Sequence, residues 1–187
     1  MKRNFLFAAV LTLFVMAVSV SAQKASFSGT WTLDVSKSKL GERNNIESQT
    51  LSVVQTDKDI KVSTSTKRAA PPAGAPGGGG NGGGRPGGGP GGPGGDNSVT
   101  YTLDGKEVTV EQETPRGKVP VKMTGKADGG KLNLTTSRTF QGPNGEMTMT
   151  TKETWSLSAD GNTLTVDRES ASMRGPMSTT SVYARKP

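Results

Sequence analysis

The chain is expected to be all-β: an antiparallel up-and-down meander of about ten strands that closes into a barrel, interrupted by one long Gly/Pro insertion. Three observations predict this. Outside a single glycine-rich tract, nearly every segment alternates apolar and polar residues with period two, on a background of Thr, Val and Ser. Between these segments stand Asp-Gly and Asn-Gly pairs, the residues that best supply the positive φ of tight hairpins: Asp104-Gly105, Asp128-Gly129, Asn144-Gly145 and Asp160-Gly161. Asp57-Lys58 and Arg174-Gly175 are weaker turn signals of the same kind. Helical periodicity is missing, apart from one turn expected around Ser36–Leu40.

In chain order, the first element is a leader. Lys2 and Arg3 precede an uncharged apolar run from Phe5 to Val18, and Val20-Ser21-Ala22 puts small residues at a cleavage site, so residues 1–22 read as a signal peptide and Gln23 as the mature start. The run is shorter than the ~20 residues of a membrane span, so no span is expected after cleavage. The protein should be exported, periplasmic or secreted, and a monomer. Its formal charge falls from +7 to +5 when Lys2 and Arg3 leave. The remaining positive charges are scattered singly through Thr/Ser-rich strands, which reads as a solvated surface and not as a nucleic-acid interface.

The hairpins follow, each with a register. If every signal is a two-residue turn, Val53 faces Val62 across Asp57-Lys58, and Tyr101 and Val99 face Val108 and Val110 across Asp104-Gly105. Met123 and Val121 face Leu134 and Thr136, Phe140 faces Met149, Leu157 and Trp155 face Leu164 and Val166, and Tyr183 faces Val166. Every pairing collects the large apolar residues on one face, and a one-residue slip would spoil it. Such a sheet has to cover its apolar face and remove its edges. Closing on itself does both, so a barrel is favoured over the alternative, a two-sheet sandwich.

The first strand, Ser26 to Asp34, carries Gly29-Thr30-Trp31, and the last ends Ser181-Val182-Tyr183-Ala184-Arg185-Lys186. Here the chain resembles the calycin superfamily, the lipocalins and fatty-acid-binding proteins. In that superfamily a Gly-x-Trp lies on the first strand, and its indole packs at the closed end against a basic side chain of the final strand. The resemblance implies a lipocalin-like barrel in which Gly29, Trp31 and Arg185 serve structural closure. The chain departs from the family's pattern in having no second lipocalin signature and no disulfide. Its 34–48 segment is also too short for the two-helix lid of fatty-acid-binding proteins.

The tract PPAGAPGGGGNGGGRPGGGPGGPGGDN at 71–97 holds 15 of the chain's 26 glycines. It is not an interdomain linker. Only 48 residues lie between Gln23 and Ala70, too few for a core of their own, and Trp31 expects its partner, Arg185, at the far end of the chain. A phosphate-binding loop would lead into a helix, whereas Val99, Tyr101 and Leu103 begin a strand. The Gly-Gly-Pro repeats are too few for a triple helix. The tract is therefore expected to be a disordered loop over 67–97 inserted between neighbouring strands, within a single domain spanning 23–187.

The registers also bring polar residues onto the apolar face. Arg138 shares a face with Leu132, Leu134 and Phe140, with Thr151 opposite and Glu153 diagonal to it. Glu153 faces Arg168, which in turn faces Ser181. A buried ion costs several kcal/mol unless it is paired or hydrated, so Arg138, Glu153 and Arg168 imply a polar opening or a ligand. Arginine suits the acidic head of an amphipathic molecule, with Met123, Leu134, Phe140, Met149 and Trp155 lining the apolar part. A cross-strand salt bridge near the barrel mouth is the simpler reading of the same three residues.

Catalysis has little to work with. Zero histidines and zero cysteines remove the commonest general base, the thiolate nucleophile and most metal ligands. Glu153 has no second acid on its face, Glu111 and Glu113 lie on the outer face with Thr109, and no nucleophile elbow or metal-spaced acid cluster occurs. No enzyme activity, cofactor or metal is expected. The expected function is binding of a small hydrophobic, fatty-acid-like or acidic-amphipathic ligand in the barrel. The alternative is a non-enzymatic envelope structural or protein-interaction module with a filled interior.

Overall fold

Thr, Val and Ser at alternating positions favour a pleated, half-buried backbone, and strands account for nearly all the regular structure. The computed structural model describes residues 25–41, 44–69, 97–114, 117–142, 145–172 and 175–187. The leader expected at 1–22 and the glycine-rich tract from 70 to 96 lie outside these residues. Ten strands follow in order: β1 (Gly29–Leu33), β2 (Ile46–Gln55), β3 (Asp59–Arg68), β4 (Asn97–Thr102), β5 (Val108–Thr114), β6 (Gly117–Asp128), β7 (Lys131–Gly142), β8 (Gly145–Leu157), β9 (Thr163–Ser172) and β10 (Gly175–Arg185). The helical turn expected near Ser36 is a 3-10 turn at Val35–Lys37. It is capped by Asp34, whose carboxylate accepts from the backbone N–H of Ser36 and Lys37.

All ten strands form one sheet, in the order β4-β3-β2-β1-β10-β9-β8-β7-β6-β5, with every neighbouring pair antiparallel. A single continuous sheet rules out the sandwich. The first and last strands meet in the middle of it, where β1 pairs with both β2 and β10. At that seam Trp31 is opposite Arg185. The guanidinium lies 4.2 Å from the indole ring centroid, and the indole N–H donates to the Phe27 carbonyl at 2.9 Å. Arg185 also donates to the carbonyls of Ser28 and Gly161. Gly29 makes room for it: φ there is 138°, and a Cβ would sit 2.6 Å from Arg185 Nη1. Gly29, Trp31 and Arg185 thus meet at this seam, beside a core whose largest fully buried side chains include Trp31, Phe27, Ile60 and Leu132.

The registers divide into three groups. Those about Asp57-Lys58 and Asp160-Gly161 are as expected, with Val53 opposite Val62, and Trp155 and Leu157 opposite Val166 and Leu164. The second hairpin is closed by a longer loop, Ser158 N–H bonding to the Thr163 carbonyl at 2.9 Å. Three hairpins are displaced by two residues. Met123 faces Thr136 and Val121 faces Arg138, Phe140 faces Met147, and Tyr183 faces Leu164. For the β6–β7 hairpin the cause is where positive φ can be carried: Gly129 and Gly130 (φ 55° and 84°) make the turn in place of Asp128-Gly129. In the other two displaced hairpins the positive-φ glycines Gly145 and Gly175 are the first residues of β8 and β10. A displacement of two keeps every side chain on its expected face.

The Asp104-Gly105 hairpin does not form. β4 and β5 are the two ends of the sheet, and β4 instead leans on β6. Gly105 N–H bonds to the Gly125 carbonyl at 3.0 Å, and the backbones of Asp104 and Lys126 form an isolated antiparallel β-bridge. Gly125 permits this approach, since a Cβ there would lie 2.5 Å from the Thr102 carbonyl oxygen and 3.1 Å from Tyr101 Cβ. The barrel is therefore nearly closed, with a gap between β4 and β5. The glycine-rich insertion joins β3 and β4, hydrogen-bonded neighbours, and is narrower than expected: Lys67 and Arg68 belong to β3, where Lys67 bridges Glu47 at 2.7 Å, and Asn97 begins β4.

Two measurements test this architecture. Gly29→Ala is expected to cost about 2 kcal/mol in denaturant unfolding, from backbone strain and displacement of Arg185. In combination with Arg185→Ala the cost should be smaller than the sum, and strict additivity would show that the two residues are not coupled. Deleting Gly77–Gly95 should preserve the fold and stabilise it by about 1 kcal/mol through the shorter loop closure; a fall in Tm would contradict this.

Candidate functional site

Among the described residues the barrel is packed solid at the Trp31 end and leaves space at the other. At the closed end the Phe27 and Trp155 rings meet edge to face, 6.1 Å apart. Midway, a small internal cavity of 40 Å³ is bordered by Leu134, Glu153, Trp155, Arg168, Tyr101 and Tyr183. That is room for about one water. Towards the open end lies a groove of 790 Å³. Its apolar walls are Leu40, Ile46, Val166 and Met177, and its polar groups include Arg68, Arg168, Gln49 and Tyr183. Arg168 borders both spaces.

Glu153 and Arg168 stand opposite each other on β8 and β9, as the sequence suggested. The carboxylate is nearly sealed, with a side chain 8% exposed against 26% for Arg168. Both of its oxygens are engaged: Oε1 accepts from Arg168 Nε at 2.8 Å and from Nη2, and Oε2 accepts from the Trp155 indole N–H at 2.9 Å. Burial works against the Arg168 charge, but the adjacent carboxylate outweighs it and holds the guanidinium's pKa above its ordinary value. Around this pair the hydroxyls are fixed. Tyr183 donates to Gln49 Oε1 at 2.6 Å, Gln49 Nε2 donates to Thr66 at 2.9 Å, and Tyr101 shares a 3.0 Å hydrogen bond with Thr136. Burial pushes both tyrosines up to about 12, so each keeps its proton.

Arg138 stands apart from this pair, contrary to the expected three-residue cluster. The two-residue displacement puts Met149 opposite Arg138, Thr151 opposite Thr136 and Leu134 opposite Glu153, so Glu153 is not its diagonal neighbour. Likewise Arg168 faces Thr179, not Ser181. Arg138 Nε and Nη2 are buried without a hydrogen-bond partner, and burial lowers the pKa of the group. These two nitrogens form the bidentate edge of a guanidinium.

Of the apolar residues expected to line a ligand, Leu134 and Trp155 border the small cavity, and Met123 is buried in the core. Phe140 and Met149 line neither space. The groove instead draws on Leu40, Ile46 and Arg68, which alternation did not single out. Leu40 belongs to the irregular stretch before β2, and Arg68 was assigned to the disordered insertion. Among the described residues no group of three or more acids has the geometry to hold a metal ion.

The single sheet, its meander order and the Gly29–Trp31–Arg185 seam make the fold calycin-like. No protein-family model matches the chain, and no curated protein matches it. Among solved structures the chain is similar to zebrafish ileal bile acid-binding protein, crystallised in complex with cholic acid. The two share 15% sequence identity with a TM-score of 0.47, over 86% of this chain and 98% of the other.

Proposed function

We propose that this protein binds a small amphipathic molecule with an acidic head in the groove at the open end of its barrel. The observation that carries the proposal is the groove itself. Its 790 Å³ falls within the range of small-molecule sites, and among the described residues of its lining it sets an apolar wall beside two arginines and no carboxylate. Arg168 is neutralised from behind by Glu153, whereas Arg68 has, among the described residues, the Asn45 amide oxygen at 2.7 Å and no acidic partner. Among the described residues the groove therefore carries net positive charge at its rim. Leu40, Ile46, Val166 and Met177 would hold the apolar body. A filled barrel acting only as an envelope scaffold has no use for such a space.

The reading is tested by fatty-acid binding to the purified protein and three variants. Arg68→Ala, and Arg168→Met made together with Glu153→Gln so that no buried charge is stranded, should each weaken binding about tenfold or more. Arg138→Ala should leave it unchanged. Weakening by Arg138→Ala alone would move the head group to that orphaned guanidinium and overturn the groove assignment. Equal affinity in all variants would remove the acidic-head idea altogether.

We also propose that the protein works after export, on the strength of the Lys2-Arg3 start, the apolar run to Val18 and the Val20-Ser21-Ala22 site. N-terminal sequencing of protein recovered from its native cells should begin at Gln23; a chain that retains Lys2 and Arg3 would refute export by cleavage.

A further inference from the structure

β5 differs from every other strand of the barrel. In a sheet folded around a core one face of each strand is covered, yet from Glu107 to Glu111 every residue on both faces is exposed. Val108 and Val110 lie on the inner face, opposite Met123 and Val121 of β6. Those partners are 5% and 0% exposed, whereas Val108 and Val110 are 37% and 40% exposed. The difference follows from the gap. β4 approaches β6 at Gly125 and does not pair with β5, so the inner face of β5 is only partly covered, and the strand is hydrogen-bonded within the sheet to β6 alone. Its other backbone edge is open, a template for one more strand.

The side chains say which strand fits. The alternation puts valine inward at 108 and 110 and glutamate outward at 107 and 111. Glu111 has no ion-pair partner among the described residues, and Glu107 has one, Lys122, at 3.0 Å. Lys118 and Lys122 stand on β6, behind β5 and away from the open edge. A strand arriving at that edge meets the glutamates first. A second copy pairing β5 with β5 would bring glutamates together, and like charges directly opposite are destabilising. A strand with cationic residues outward and apolar residues inward would neutralise one row and cover the other.

We infer that the open edge of β5 is a docking site for an extended basic peptide segment of another protein, added as a strand in the gap between β4 and β5. Main-chain hydrogen bonds to β5 give affinity, and the alternation of charge and valine gives selectivity. The site is separate from the groove, and neither depends on the other.

The probe is a synthetic seven-residue peptide alternating lysine and valine, added to the full-length mature protein. Hydrogen exchange should show protection rising about tenfold or more at residues 108–114. A twin with glutamate in place of lysine should not bind, and neither should one N-methylated along a single edge. Glu107→Lys with Glu111→Lys, both at exposed positions, should weaken binding of the lysine peptide about tenfold. Protection elsewhere in the barrel, equal binding of either twin, or no protection at millimolar peptide would overturn the proposal. Dimerisation of the protein through β5, seen by sedimentation without peptide, would overturn it too.

Discussion

The seam between β1 and β10 is the contact on which the rest of the barrel depends. It joins the first and last strands of a chain whose neighbours are otherwise adjacent in sequence, so it is the longest-range pairing and the one that makes a linear meander a continuous wall. Its geometry is specific. Arg185 covers the Trp31 indole and donates to the Ser28 and Gly161 carbonyls, and it can do so because Gly29 carries no side chain and tolerates a φ of 138°. A cation over an indole contributes about 1 kcal/mol. The larger effect is burial: with the seam in place Trp31 is fully enclosed and Phe27 is held against Trp155.

With the wall closed at one end, charge in the interior becomes the second constraint. The Glu153 carboxylate is tolerated because each oxygen has a donor of its own, the Arg168 guanidinium on one side and the Trp155 indole on the other. Removing either would leave a buried acceptor unsatisfied. Arg138 has no such arrangement and holds two buried donors unpaired. The barrel thus has a satisfied ion pair where the small cavity meets the groove, and a cation elsewhere that the protein itself leaves unmatched. Closure sets both conditions: among the described residues, the same sheet that packs tightly at the Trp31 end leaves space at the opposite end and a gap between β4 and β5.

Much of this could be read from the residues. The period-two alternation, the turn pairs and the matched ends pointed to an all-β meander of about ten strands with Trp31 and Arg185 in contact, and the structure has them. Facial assignment survived even where registers did not. Three hairpins shifted by two residues, which moves each partner along the strand and never through it. The pairing of Glu153 with Arg168 survived because its loop, Ser158 to Thr163, keeps the same centre as the expected two-residue turn. The Arg138 contact was lost because the β7–β8 hairpin is among the three that shifted.

Local alternation is therefore enough to read the class of structure and the side of the sheet each residue occupies. Which residues meet depends on how the sheet closes. Only the folded backbone shows that Gly129-Gly130 carries the turn, that Gly125 lets β4 approach β6, and that the inner face of β5 is left partly exposed. The groove is of the same kind. Leu40, Ile46 and Arg68 have no shared pattern in the chain, and they line one space because the seam brings β10 and β9 beside the start of β2 and the end of β3. Periodicity is a property of neighbours along the chain, whereas a cavity belongs to strands brought together by closure.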